Sequence, residues 1–361
     1  MKIWNKLFLL MFLPIAAACA DGEGILSDGE ESSLLKLSFD LDGCGVVTGT
    51  LDTRTLTAVS TEALGAGVRF TVRAYKSEGG GFVDEGVYVI VDDATSGMGT
   101  TAVPLAESGK DNGLYLTRGE YDLRFLSYNL AAEHPVVNTG GKTTVSNGKD
   151  LIATSLKNVL VRADKDGQTD FSIPLKGHPF EHLCACVKAV FQIPEGQVVI
   201  PTAVSAMNIV LKNLCKDATY DWSTGVLTPS ATREATATVA LFSSSSIGSV
   251  PSTPPIIGSK VLAEAVSGDA YVLPLDESVP LKFDISMKIK FNSTQAAGTE
   301  KENTLTIDNL ENVKALLPGK AYGFIFSLSF YGDYLPADLI LAVQDYVPVE
   351  LNPDDVGGDN L

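Results

Sequence analysis

The residues able to do metal or nucleophilic chemistry are few, and their spacing decides what they can do. His178, His182, Cys184, Cys186 and Cys215 hold the donor atoms that zinc prefers. On an extended chain, residues two apart point to the same side. His182, Cys184 and Cys186 would therefore spread their donors along one strand face, unlike the tight Cys-x-x-Cys knuckle that wraps a tetrahedral ion. No metal is expected there. Cys44, Cys184, Cys186 and Cys215 leave two readings open, free thiols or a bridge from Cys215 to Cys184 or Cys186.

Catalytic patterns are equally thin. His134 completes the three histidines, and no Gly-x-Ser-x-Gly elbow, phosphate-cradling glycine loop or His-Glu-x-x-His pair accompanies them. No catalytic residue and no cofactor site is assigned, and an enzyme is not expected. Asp164-x-Asp166-Gly167-x-x-Asp170 looks like part of a calcium loop but lacks the third early acid and the distant bidentate Glu, so it reads as a polar turn. Tyr220-Asp221-Trp222 is the one aromatic pair suited to stacking on a sugar, and its competing reading is a side chain filling a turn.

Two further residues point to processing. Lys2 and Lys6 precede an apolar run from Leu7 to Ala17, and the small residues Ala16-Ala17-Ala18 stand before Cys19. This is a secretory signal, residues 1–18, too short to span a membrane. A cysteine at the new N-terminus suits diacylglycerol attachment, which makes Cys19 the expected lipidation site, with ordinary cleavage at an Ala-x-Ala site as the other reading. Asp21, Glu23, Asp28, Glu30 and Glu31 follow as an acidic tether. Arg54 is the only basic residue between Lys36 and Arg69, in the Thr-rich stretch TGTLDTRTLTAVS. The bond between Arg54 and Thr55 is therefore a candidate site for a trypsin-like cut.

The elements around these residues read as β almost throughout. In LKFDISMKIKF, Leu281, Phe283, Ile285, Met287, Ile289 and Phe291 alternate with polar residues, the mark of a half-buried strand. Tyr322, Phe324, Phe326, Leu328 and Phe330 repeat the pattern, as do Tyr121, Leu123 and Phe125. The alternation of LCACVKAVFQI sets Cys184, Cys186 and Lys188 opposite its apolar face, away from a core. Short helices are expected only around Asp150 to Asn158 and Asn309 to Leu316. Residues 242–258, rich in Ser and Pro, read as an exposed insertion. Many short strands with Gly-rich turns indicate sandwiches.

The segment before Arg54 carries a strand pattern of its own, with Leu35, Leu37, Phe39 and Leu41 alternating with Lys36, Ser38, Asp40 and Asp42. Such a strand must pack on something. Cutting at Arg54 would remove it and leave an apolar groove and an open sheet edge for another chain to fill. At the far end, Val343, Val347, Val349 and Leu351 share one parity and offer a donor strand, whose alternative is an ordinary final strand of its own domain. A net charge of −17 and a pI near 4.6 argue against nucleic acid as a partner.

In these features the chain resembles the fimbrillins, lipoprotein-exported pilins of Gram-negative bacteria. The likeness is carried by VRFTVRAYKSEGG, by NGLYLTRGEYDLRFLSYN, by KDLIATSLKNVLV with HPFEHLCACVKAVF, and by ALLPGKAYGFIFSLSF. The resemblance implies an all-β chain of two tandem β-sandwich-like, transthyretin-like domains with a few short helices. It implies a lipidated leader over residues 19–54; the polar segment ADKDGQTD, residues 163–170, which interrupts two apolar runs, sets the boundary between an N-terminal domain over 55–167 and a C-terminal domain over 168–361. The resemblance further implies cleavage after Arg54 by an arginine-specific protease, lipoprotein export to the outer membrane, and assembly with other pilin subunits into an adhesive surface fimbria. Anchor or tip subunit of the same fimbria, or a lipid-anchored glycan- or protein-binding module, are the alternatives.

Overall fold

The computed structural model describes residues 34–42, 44–48, 60–92, 99–107, 110–163, 168–194, 201–244, 261–266, 269–292, 300–312, 315–331, 338–344 and 349–350. They form two β-sandwich-like domains in tandem, each with its own core. In the first, strands run in the spatial order Asp170–Pro174, Leu35–Asp40, Gly99–Pro104, Phe82–Asp92, Arg69–Lys76, Gly119–Ser127, Ile152–Val161 and Glu181–His182. In the second, one sheet orders Val261–Val266, Ala185–Pro194, Lys320–Tyr331 and Asp338–Gln344. The other orders Val239–Ser244, Pro201–Lys212, Leu281–Asn292 and Glu300–Asn312.

The alternation read from sequence is the burial pattern of these strands. Leu281, Phe283 and Ile285 are buried, as are Tyr322, Phe324 and Phe326, and Tyr121, Leu123 and Phe125. No helix occurs among the described residues, which corrects the expectation of short ones. Residues 152–161 are a strand paired with Gly119–Ser127, and residues 300–312 are a strand paired with Leu281–Asn292. The reason lies in a bulge. Ile152, Leu156 and Val161 are the buried positions of their strand, a spacing that imitates a helical stripe because the register shifts opposite Asp122.

The bulge has a twin. Asn158 adopts φ 55° and donates its N–H to the Asp122 carboxylate at 2.9 Å; Asn309 adopts φ 55° and donates to the Asp284 carboxylate, also at 2.9 Å. In each case an Asp between two buried residues faces an Asn in the left-handed region, which Asn tolerates better than most side chains. The two domains thus share one device at corresponding strand pairs.

The strand Asp170–Pro174, which the sequence reading assigns to the second domain, lies in the first sheet, and Ile173, Leu175 and Phe180 belong to the first core. In turn, Leu126, Tyr128, Val145 and Leu151 contribute to the second core. Asn147 stitches the join, donating to the Cys215 carbonyl at 2.8 Å and accepting from Leu273 N–H at 2.9 Å. No helix among the described residues is long and apolar enough to cross a membrane.

Candidate functional site

The leader strand Leu35–Asp40 lies inside the first sheet. It runs parallel to Asp170–Pro174 on one side, with Lys36 opposite Asp170 and Asp40 opposite Pro174. On the other side it pairs antiparallel with Gly99–Pro104 and with Tyr115–Leu116. Period-two patterning turns Leu35, Leu37 and Phe39 inward, and Leu41 joins them in the core.

Phe39 is the centre of this packing. Its ring meets Tyr88 at 4.8 Å, Phe125 at 5.0 Å and Phe70 at 6.2 Å between centroids, all edge-on. Tyr88 ties the backbone as well, donating its hydroxyl to the Leu37 carbonyl at 3.0 Å while accepting from Leu114 N–H at 2.9 Å. Burial raises the Tyr88 phenol far above its ordinary value, so it remains a donor. At the surface end Lys36 pairs with Asp111, which holds the Asp111 carboxyl below its usual range. Burying a side chain of this kind is worth about 1.5–3 kcal/mol. The four leader side chains together supply on the order of 10 kcal/mol, an upper estimate but comparable to the stability of a whole domain.

Beyond the leader strand, Gly45–Thr48 pairs antiparallel with Ser60–Ala63, and Cys44 and Val46 are buried. Phe180 N–H donates to the Gly45 carbonyl at 2.9 Å. Arg54 and Thr55 fall in residues 49–59, between Thr48 and its partner Ser60, and lie outside the described residues, as does Cys19. Of the donor-strand residues, Val343 pairs with Phe326 and Val349 with Ala321, both on the strand Lys320–Tyr331 of the same chain. Val347 and Leu351 lie outside the described residues.

The histidine and cysteine group does not converge. His182 belongs to the first sheet, where its Nδ1 lies 2.6 Å from Asp150 Oδ1, and Asp150 also accepts from Asn129 Nδ2 at 3.0 Å. Cys184 sits in a bend before the strand Ala185–Pro194 and is 2 % exposed, which corrects its placement on the outer face. Cys186 does lie on that face, half-buried. The four described cysteines are free thiols. Burial pushes Cys44 up to about 11 and Cys184 up to about 12, so neither is a nucleophile at neutral pH. No group of metal-ligating side chains gathers among the described residues. Asp170 opens its strand opposite Lys36, while residues 164–167 of the acidic run lie outside the described residues. Trp222 is fully buried and donates its Nε1–H to Thr143 Oγ1 at 2.8 Å, so it offers no stacking platform to solvent.

No family model and no curated protein matches the sequence. Solved structures do. A candidate cell adhesion protein from Bacteroides fragilis superposes with a TM-score of 0.53 at 16% identity, over 87% of this chain and 98% of that one. A candidate cell adhesion protein from Bacteroides uniformis gives 0.47 at 14% identity, over 89% and 100%. A fimbrial protein from Bacteroides vulgatus gives 0.40 at 12% identity, over 87% and 99%. The chain shares the fold of the first of these over 87% of its length.

Proposed function

We propose that the protein is a structural subunit of a bacterial cell-surface fimbria, of the fimbrillin kind. It is exported as a lipoprotein on Cys19, released by cleavage between Arg54 and Thr55 by an arginine-specific protease, and polymerised by β-strand exchange. The observation that carries this reading is the leader strand. Its four apolar side chains fill the centre of the first core, yet all of it lies before Arg54 and is joined to the rest of the domain by a single link.

A simple tether has no reason to occupy that position. Removing residues 19–54 would uncover Phe70, Tyr88 and Phe125 and leave the facing backbone of Asp170–Pro174 and Gly99–Pro104 without a partner between them. An opening of that kind accepts a strand from another chain. The donor we assign is the C-terminal stretch bearing Val343, Val347, Val349 and Leu351. Its present pairing with Lys320–Tyr331 must open before it can reach a neighbour. The likeness in fold to a candidate cell adhesion protein supports the coarser reading of a surface subunit.

Mass measurement of the protein recovered from cell surfaces tests it. A species beginning at Thr55 and present in polymers is expected. A surface form carrying only intact, lipidated Cys19 would overturn the reading.

A further inference from the structure

Where the two cores meet, a cleft of about 480 Å³ opens to solvent, within the size range of small-molecule sites. One wall is the strand pair Gly119–Ser127 and Ile152–Val161, and another is the turn from Gly177 to Glu181. The third is the hairpin turn around Gly225, between Ala218–Asp221 and Val226–Pro229. This region is separate from the leader strand's packing.

The cleft holds polar groups that folding does not use. Tyr220 is 2 % exposed, with its ring edge-on to Trp222 at 5.3 Å. Its hydroxyl lies beside Gly225, 3.7 Å from where a Cβ would stand, and has no hydrogen-bond partner among the described residues. The oxygen itself is not sealed from the cleft, so a molecule lying there can bond to it. Burial pushes this phenol up to about 12, so it stays a neutral donor and acceptor. Arg124 reaches the same spot, its Nε 3.8 Å from that Cβ position. It is held there by donation from one terminal nitrogen to the Trp222 carbonyl and by stacking on Tyr75 at 5.1 Å. Around them Ser155, Lys157 and Glu181 are exposed and likewise have no side-chain partner among the described residues.

We infer that this cleft binds a short saccharide. Interleaved donors (Arg124, Lys157), an acceptor (Glu181) and amphoteric hydroxyls (Tyr220, Ser155) match a ligand that presents hydroxyls on most of its carbons. Anionic ligands such as phosphate fit less well, because Asp122 and Glu181 line the same cleft. The inference does not depend on polymerisation, so its failure leaves the fimbrial reading untouched.

The test is titration of the purified full chain with glucose, galactose, N-acetylglucosamine, glucuronate, N-acetylneuraminate and inorganic phosphate, followed by calorimetry and saturation-transfer NMR. At least one sugar is expected to bind, and Tyr220→Phe and Glu181→Gln should each weaken it roughly fivefold, the scale of one hydrogen bond. Tyr220→Phe should also leave the thermal midpoint nearly unchanged, since the ring packing against Trp222 stays and the hydroxyl bonds no other described residue. Absence of binding by every sugar, preference for phosphate over all of them, or unchanged affinity in Tyr220→Phe overturns the inference.

Discussion

Phe39 is the side chain on which the leader's hold depends most, because it is fully buried and three aromatic rings close on it. Phe39→Ala should cost about 3–5 kcal/mol, the range for losing a buried Phe with incomplete collapse of the cavity. Urea unfolding of the full chain measures it, as a lower midpoint in the transition of the first domain. Lys36→Ala is the contrast: its pair with Asp111 is solvent-exposed, and such pairs are worth about 0–1 kcal/mol. Equal effects from the two substitutions would show that the leader is held by charge at its surface end. At this scale the leader's apolar parity is legible in the sequence, since Leu35, Leu37, Phe39 and Leu41 alternate without interruption. The burial of Cys184 is not, because a bend ends the alternation that would have placed it outside.

Among the elements, the paired bulges are the feature that patterning alone misreads. A strand whose buried residues fall at Ile152, Leu156 and Val161 has a helical spacing on paper. Only its partner strand shows that an extra residue has been absorbed opposite Asp122. Asn158→Ala should cost about 1–2 kcal/mol through the left-handed backbone, and Asn158→Gly less. In a double-mutant cycle, Asp122→Ala and Asn158→Ala should fall short of additivity by about 0.5 kcal/mol or more, because both changes disturb the same bulge. Strict additivity in thermal unfolding would mean that the Asp122 contact is incidental. The same cycle at Asp284 and Asn309 should behave alike, since the geometry is the same.

For the whole molecule, the position of the leader governs what a cut at Arg54 can achieve. The leader strand lies between two strands, so breaking the chain at residues 49–59 does not by itself free it. Protein nicked in vitro by an arginine-specific protease should therefore elute as one complex that still contains the leader. The leader should leave only when denaturant is added or when a peptide of residues 338–361 competes for its seat. Spontaneous loss of the leader on nicking, read by size-exclusion chromatography with mass detection, would count against the leader being bound by its four core side chains.

The sequence by itself determined the all-β class, the parity of most strands, the amphipathic leader and the lone basic residue that follows it. These are local properties, written in residue type and in a period of two. The tertiary structure alone decided that the leader is an interior strand running parallel to Asp170–Pro174 and that the first core extends to Phe180. It alone decided that Trp222 is sealed beneath Thr143 and that Tyr220 and Arg124 meet at one cleft. Those facts depend on which distant segments become neighbours, and pairing over such separations is selected by the packing of the whole core, which no local pattern encodes.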